Sequence, residues 1–232
     1  MKKQSCKFEE DYFEQYFKDE ITEFSERGFK RMHNWFRGIF KAINGIYNIK
    51  NGKGKKAIEF GCALGAASRI LSDFGYEVTA TDVSTYAVKK AKKFSPHIKF
   101  ITQDIQHPKT KEKFDLAIAF DVIEHLEQPE RAINNMFNLV KSGGVVICST
   151  PNDYKYAHEI PSHINVKSPQ NWKKIFKNAG FNKVETHQRT FIPFLYRLYW
   201  GLNFALPFGI NFEPVCSPVF IIAEKSEEKI NR

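Results

Sequence analysis

The 232-residue sequence predicts an α/β fold, a mostly parallel sheet with helices on both faces. Three observations carry that prediction. Strand-like and helix-like segments alternate from residue 57 onward. The middle strands, FDLAIAFD (114–121) and VVICST (145–150), are near-continuous apolar runs, as strands covered on both faces are. Ser, Pro and Gly stand where helices start and stop.

The elements follow in order. Residues 8–47 read as two amphipathic helices, with Phe13, Phe17, Ile21 and Phe24 on one and Phe29, Met32, Phe36, Phe40, Ile43 and Tyr47 on the other. Gly28 falls between them, and NIKNGKGKK (48–56) is a polar linker. AIEFG (57–61) is a strand, and AASRILSDFG (66–75) is a helix stopped by Gly75. YEVTATD (76–82), TYAVKKAKKF (85–94) and HIKFITQD (97–104) read as strand, helix and strand. PERAINNMFNLVKSGG (129–144) is a helix with Pro in its first turn and glycines at its end. SPQNWKKIFKNAG (168–180) is another, with Ser as its cap. KVETHQR (183–189) and PVFIIAEK (218–225) are strands, and one strand near the C-terminus is expected to run antiparallel. The chain is thus divided into an N-terminal helical extension, 1–49, and an α/β domain, 50–232, with an aromatic-rich insertion at about 189–216.

Composition narrows the functional classes. The net charge is +9, but the lysines are spread along the chain and read as a solvated surface rather than a nucleic-acid stripe. Cys6, Cys62, Cys148 and Cys216 form no Cys-x-x-Cys pair, which argues against a cysteine zinc site. MKKQSCKFEEDYFEQ has no apolar signal segment, so a cytoplasmic location is expected. The stretch 191–210 has the length of a membrane span but contains Arg197, Asn203, Pro193 and Pro207, which excludes a transmembrane helix. A peripheral membrane contact stays open.

Ligands of such sheets bind at the carboxyl ends of the strands. Gly61 and Gly65 follow the first strand, where glycine permits a sharp turn and close approach of a ligand. Asp82 ends the next strand, 21 residues after Gly61, and can take a ribose diol. The spacing is Gly-x-x-x-Gly, not the dinucleotide Gly-x-Gly-x-x-Gly, and Glu59 stands just before it. A carboxylate there repels a pyrophosphate and suits a cationic nucleoside.

With these residues in place, the sequence resembles the class I S-adenosylmethionine-dependent methyltransferases over roughly residues 50–190. The resemblance implies a Rossmann-like, doubly wound sheet. It places Glu59, Gly61, Cys62, Ala63 and Gly65 in the cofactor loop, Asp82 and Val83 at the ribose, Asp104 and Ile105 at the adenine, and Phe120 and Asp121 by the methionine part. Ala63 stands where the family often has a third glycine. Asp121-Val-Ile-Glu124-His125, followed by His163 with His158 as a competitor, looks like the metal site of certain O-methyltransferases. Asp121, Glu124, His125 and His163 are therefore candidate ligands for magnesium, manganese or zinc. His125, with Glu124, is equally a candidate metal-free base.

The implied function is methyl transfer to a small-molecule acceptor at oxygen, the acceptor being apolar or lipid-linked. In this reading Tyr12 and Tyr16 close over the cofactor or line the acceptor pocket, the segment 190–212 lids the acceptor site or forms a membrane or dimer contact, and Arg197 pairs with an acidic group of the acceptor or snorkels to solvent. The alternatives are an RNA methyltransferase, weakened by the lack of an RNA-binding module, and a non-enzymatic relative, disfavoured by the intact loop residues.

Overall fold

The structure is a computed structural model that describes residues 8, 10–16, 25–191, 205–210 and 217–227. Phe17, Ile21 and Phe24 of the first expected helix lie outside the described residues, as do Cys6, Arg197, Cys216 and most of the aromatic-rich segment. The chain divides into two compact units, Met1–Asp104 with Ile192–Ala205, and Ile105–Phe191 with Leu206–Arg232.

The first unit contains α1 (Glu10–Tyr16), α2 (Glu26–Asn44), β1 (Lys56–Phe60), α3 (Ala66–Asp73), β2 (Glu77–Asp82), α4 (Thr85–Phe94) and β3 (Lys99–Thr102). Its strands lie in the order β3-β2-β1 and run parallel, with Phe60 opposite Thr81 and Asp82 opposite Thr102. Residues 57–60 of β1 are all buried, as the unbroken apolar run requires. The expected break at Gly28 is not there. Ser25 caps α2, its side chain accepting from Gly28 N at 3.2 Å, so Gly28 lies in the first helical turn. Aromatic pairs tie the helices together. Phe29 stacks on Phe94 at 4.9 Å, Phe40 meets Phe74 edge-on at 5.8 Å, and Phe13 of α1 stacks on Tyr86 of α4 at 6.1 Å.

The second unit contains β4 (Phe114–Phe120), a 3₁₀ turn at Ile123–His125, α5 (Pro129–Leu139), β5 (Val140–Thr150), α6 (Lys155–Glu159), α7 (Pro169–Asn178), β6 (Lys183–Gln188), β7 (Thr190–Phe191), β8 (Ala205–Leu206) and β9 (Val219–Glu224). The sheet order is β4-β5-β9-β6. β4 and β5 are parallel, and β9 is the expected antiparallel strand, paired with both β5 and β6. The helix expected to reach residue 144 ends at Leu139. Val140 is already extended and pairs with Phe114, and the register then shifts so that Leu116 faces Val145. Gly143, at φ 74°, donates its N–H to Lys225 O at 3.0 Å inside that irregularity. The two glycines thus bend a strand start rather than end a helix. Lys225 closes the end of α5, donating to Phe137 O at 3.0 Å and Val140 O at 3.2 Å.

Among the described residues no helix is long and apolar enough to cross a membrane. Removing the α2 cap with Ser25→Ala is expected to cost about 1 kcal/mol. Urea unfolding followed by circular dichroism checks this, and an unchanged midpoint would show that the cap does not stabilise the helix.

Candidate active site

The turn after β1 is built from left-handed backbone. Gly61, Ala63 and Gly65 have φ of 71°, 45° and 75°. Alanine is strained there where glycine is not, so the departure at Ala63 carries a conformational cost that the surrounding bonds must hold. They do so through one side chain. Asp82 Oδ2 accepts from Ala63 N at 2.9 Å, and Oδ1 accepts from Ser84 N at 2.9 Å. Ser84 in turn caps α4, accepting from Ala87 N at 3.1 Å. Cys62 N donates to Thr81 O, and Gln103 N to Asp82 O, both at 2.9 Å. The Asp82 carboxylate therefore joins the ends of β1 and β2. At Gly65 a Cβ would stand 2.9 Å from the Phe100 ring, so glycine is also required sterically. Gly65 begins α3 with no side-chain cap, and the Ser68 N–H of the first helical turn bonds the Glu59 carboxyl instead.

Glu59 is only 3% exposed and accepts a short hydrogen bond from Ser68 Oγ on α3. Burial pushes its carboxyl up to about 8, the Ser68 bond opposes this, and the charge of Asp82 adds to it. A nearby cation would reverse the burial cost and favour the ionised form. Cys62 is buried beside these acids, and burial holds its thiol well above the usual range. Val83 is half-buried and follows Asp82 directly. Asp104 is also half-buried and ends the Met1–Asp104 segment of the first unit. Ser68 had a sequence signal that the motif reading passed over: it is a polar residue on the apolar face of a helix, fully buried in the structure.

In the second unit, Ile105 is buried and its carbonyl accepts from Asn135 Nδ2 at 2.9 Å. Phe120 is buried at the end of β4. Asp121 follows with φ 53°, another left-handed non-glycine residue. Its N–H donates to Ser149 O at 3.0 Å, and its Oδ1 accepts from Ser149 Oγ at 3.1 Å.

The turn after β4 gathers Glu124, His125 and His163, whose ligating atoms all lie within 4.8 Å of one another. Asp121, although named by the sequence spacing, is not among them. His158 is elsewhere too, on Asp153 at 2.7 Å. Glu124 is wholly buried, and its carboxyl makes no well-formed hydrogen bond among the described residues, its own amide and the Thr150 hydroxyl being the donors that act on it. Burial holds its carboxyl well above the usual range, and the charge of Asp121 adds to this.

The two histidines have the same tautomer. His125 Nδ1 lies 2.8 Å from Ser162 O, and His163 Nδ1 lies 3.0 Å from Ala157 O. A carbonyl only accepts, so each Nδ1 carries the proton and each Nε2 presents a lone pair. His125 Nε2 is 4.0 Å from Glu124 Oε1, and the two rings meet edge-on at 4.9 Å. Burial lowers His163, favouring its neutral form. Such an arrangement can accept a proton or, with an oxygen and two nitrogens, a divalent cation. The outermost separation, 4.8 Å, exceeds about 4.2 Å, twice a usual metal–ligand bond, so holding a metal requires the trio to draw together.

The methyltransferase-domain profile matches residues 12–186. The chain belongs to the class I S-adenosylmethionine-dependent methyltransferases. It is 33% identical over 105 residues to the ubiquinone biosynthesis O-methyltransferase of Coxiella burnetii, a match covering 43% of this chain and 45% of that protein. The chain thus spans under half the length of that relative. Among solved structures, the fold matches the magnesium protoporphyrin IX methyltransferase of Synechocystis with bound S-adenosylmethionine, at a TM-score of 0.60, 17% identity, and 93% of this chain and 94% of that one. It also matches the YcgJ protein of Bacillus, at 0.65 and 11% identity over 83% of this chain and 99% of that one. At these identities the two structures bear on the fold alone, and they support the Rossmann-like class.

Because its folded-state value is raised, Glu59 makes the ligand-free protein lose stability as pH rises from 4.5 to about 8. The Glu59→Gln variant keeps an acceptor for Ser68 and should lack that loss, at most about 1.4 kcal/mol per pH unit within the window. Parallel denaturation of both proteins at pH 5 and 8 checks this. A wild-type-minus-variant difference that does not move with pH would contradict the assignment.

Proposed function

We propose that the chain transfers the methyl group of S-adenosylmethionine to an oxygen of a small-molecule acceptor. The observation that carries this reading is the cluster of Glu124, His125 and His163, with both Nε2 lone pairs set by carbonyl-bound Nδ1 protons. A hydroxyl is a poor nucleophile until it sheds a proton, and an amine needs no such base once neutral. Similarity to an O-methyltransferase over 105 residues supports the same choice.

Bound S-adenosylmethionine supplies an electrophilic methyl on a sulfonium. Glu59, Gly61, Cys62, Ala63 and Gly65 form the cofactor loop in this reading, with Asp82 and Val83 at the ribose. Asp104 and Ile105 serve the adenine, and Phe120 and Asp121 the methionine part. The residues fit that group: the loop backbone turns through three left-handed positions, and Glu59 is a buried acid without a compensating cation among its partners. Asp82 accepts from two backbone amides at the end of β2, and a carboxylate is the acceptor chemistry a ribose diol requires. On the acceptor side, His125 Nε2 takes the hydroxyl proton, with Glu124 Oε1 4.0 Å away. The remaining work is to hold donor and acceptor in line and exclude water.

The same trio favours a second reading, because a histidine whose Nδ1 is tied to a carbonyl is the usual form of a metal ligand. A divalent cation held by Glu124, His125 and His163 would polarise and acidify the acceptor hydroxyl.

The apolar acceptor is supported by exposed Ile160 and Ile164, which flank His163 at either side, and by Phe208, 54% exposed.

Two measurements test these readings. Asp82→Ala should weaken S-adenosylhomocysteine binding by about 1–3 kcal/mol in calorimetry. Unchanged affinity in a folded variant would remove the ribose assignment. Manganese titration of chelator-treated protein, followed by electron paramagnetic resonance, tests the cation. Binding that Glu124→Gln abolishes supports the metal reading, and no binding leaves His125 as the base.

A further inference from the structure

Four contacts brace the turn that carries Glu124 and His125: three of them reach the turn itself, and three involve one residue that no motif singles out. Asn165 N donates to Glu124 O at 2.9 Å. Its side-chain Nδ2 donates to Leu126 O. Its Oδ1 accepts from Lys167 Nζ at 2.9 Å. The fourth contact is His125 Nδ1 to Ser162 O, three residues upstream on the same segment.

The amide orientation of Asn165 follows from chemistry. Leu126 O accepts only and Lys167 Nζ donates only, so nitrogen must face the first and oxygen the second. Asn165 thus clips the backbone on both sides of His125, at residues 124 and 126. Lys167 fixes the clip from behind, its ammonium 5.7 Å from the ring of the wholly buried Trp172. The clip has a chemical consequence. A 3₁₀ turn of three residues has little stiffness of its own, and the Nδ1 side of the His125 ring is bonded to Ser162 O. That bond holds only while the 162–165 segment keeps its register on the turn. The same register places His163 beside His125.

We propose that Asn165, backed by Lys167, is a positioning residue that fixes the His125 tautomer and ring orientation by clamping residues 124 and 126 to the segment bearing Ser162 and His163. It touches neither cofactor nor acceptor and acts through His125. The functional weight of the clamp rests on the reading of His125 as the acceptor-side group, but its existence does not, and the test is independent of any acceptor.

The test is long-range ¹H–¹⁵N correlation of the histidine rings in the full chain, comparing wild type, Asn165→Ala and Lys167→Met. In wild type, His125 should show a well-separated pair of ring nitrogens, protonated at Nδ1 and bare at Nε2. In Asn165→Ala the two resonances should converge toward the averaged position of a ring that exchanges tautomers. Lys167→Met should move them part of the way. S-adenosylhomocysteine binding to the first unit's loop should stay within about two-fold in both variants, which serves as the folding control and is an effect below about 0.4 kcal/mol. If Asn165→Ala does not fold, Lys167→Met carries the comparison. Unchanged His125 resonances in a folded variant overturn the proposal. Averaged tautomers already in wild type overturn it together with the reading of His125. A locked wild-type ring that the variants release sustains the clamp, whatever the acceptor proves to be.

Discussion

The carboxylate of Asp82 is the constraint on which the first unit's chemistry depends. One oxygen holds Ala63 N and the other holds Ser84 N. Through the first it fixes a loop whose backbone would otherwise relax, since Ala63 sits in a region that side chains avoid. Through the second it sets the residue that caps α4. It also adds its charge to the environment of Glu59 and so helps keep that acid protonated in the absence of a ligand. A single buried acid therefore shapes the loop, begins the next helix and tunes its neighbour.

The second unit uses the opposite device. There the buried acid, Glu124, makes no well-formed hydrogen bond among the described residues, and the neighbouring histidines are tied down instead. An unpartnered buried carboxylate is costly, and proteins retain such groups where a ligand, proton or ion completes them. Among the described residues, the left-handed non-glycine residues Ala63 and Asp121 each follow a strand end, β1 and β4. Strain of this kind concentrates where geometry serves chemistry rather than stability.

Much of this was legible in the sequence. Alternating periodicity gave the α/β class, and helix 85–94 was placed to the residue, because its cap, apolar face and stop agree. Gly28 and the pair Gly143–Gly144 misled for one reason: glycine marks many kinds of bend, and only the hydrogen bonds around it say which. The turn after β1 is readable because Glu59, Gly61, Gly65 and Asp82 are close in sequence to the strands that carry them. The histidine cluster was half readable. Glu124 and His125 are adjacent, but His163 becomes their neighbour only through the segment that Asn165 holds, and chain spacing cannot separate it from His158. Asp121 matched the spacing of a ligand, yet Ser149 on the neighbouring strand takes its carboxylate. The aromatic segment beyond residue 191 keeps its sequence reading alone.

The central claim is that the buried acid before the glycine turn answers a cationic cofactor. Its most direct test is calorimetric titration with S-adenosylmethionine at pH 7 in two buffers of different ionisation enthalpy, for wild type and Glu59→Gln. A carboxyl raised to about 8 is mostly protonated at that pH, and a bound cation favours its ionised form. Wild type is expected to release up to about one proton on binding, and the variant markedly less. Equal proton release by the two proteins would contradict it, and absence of binding by wild type would contradict the cofactor assignment itself.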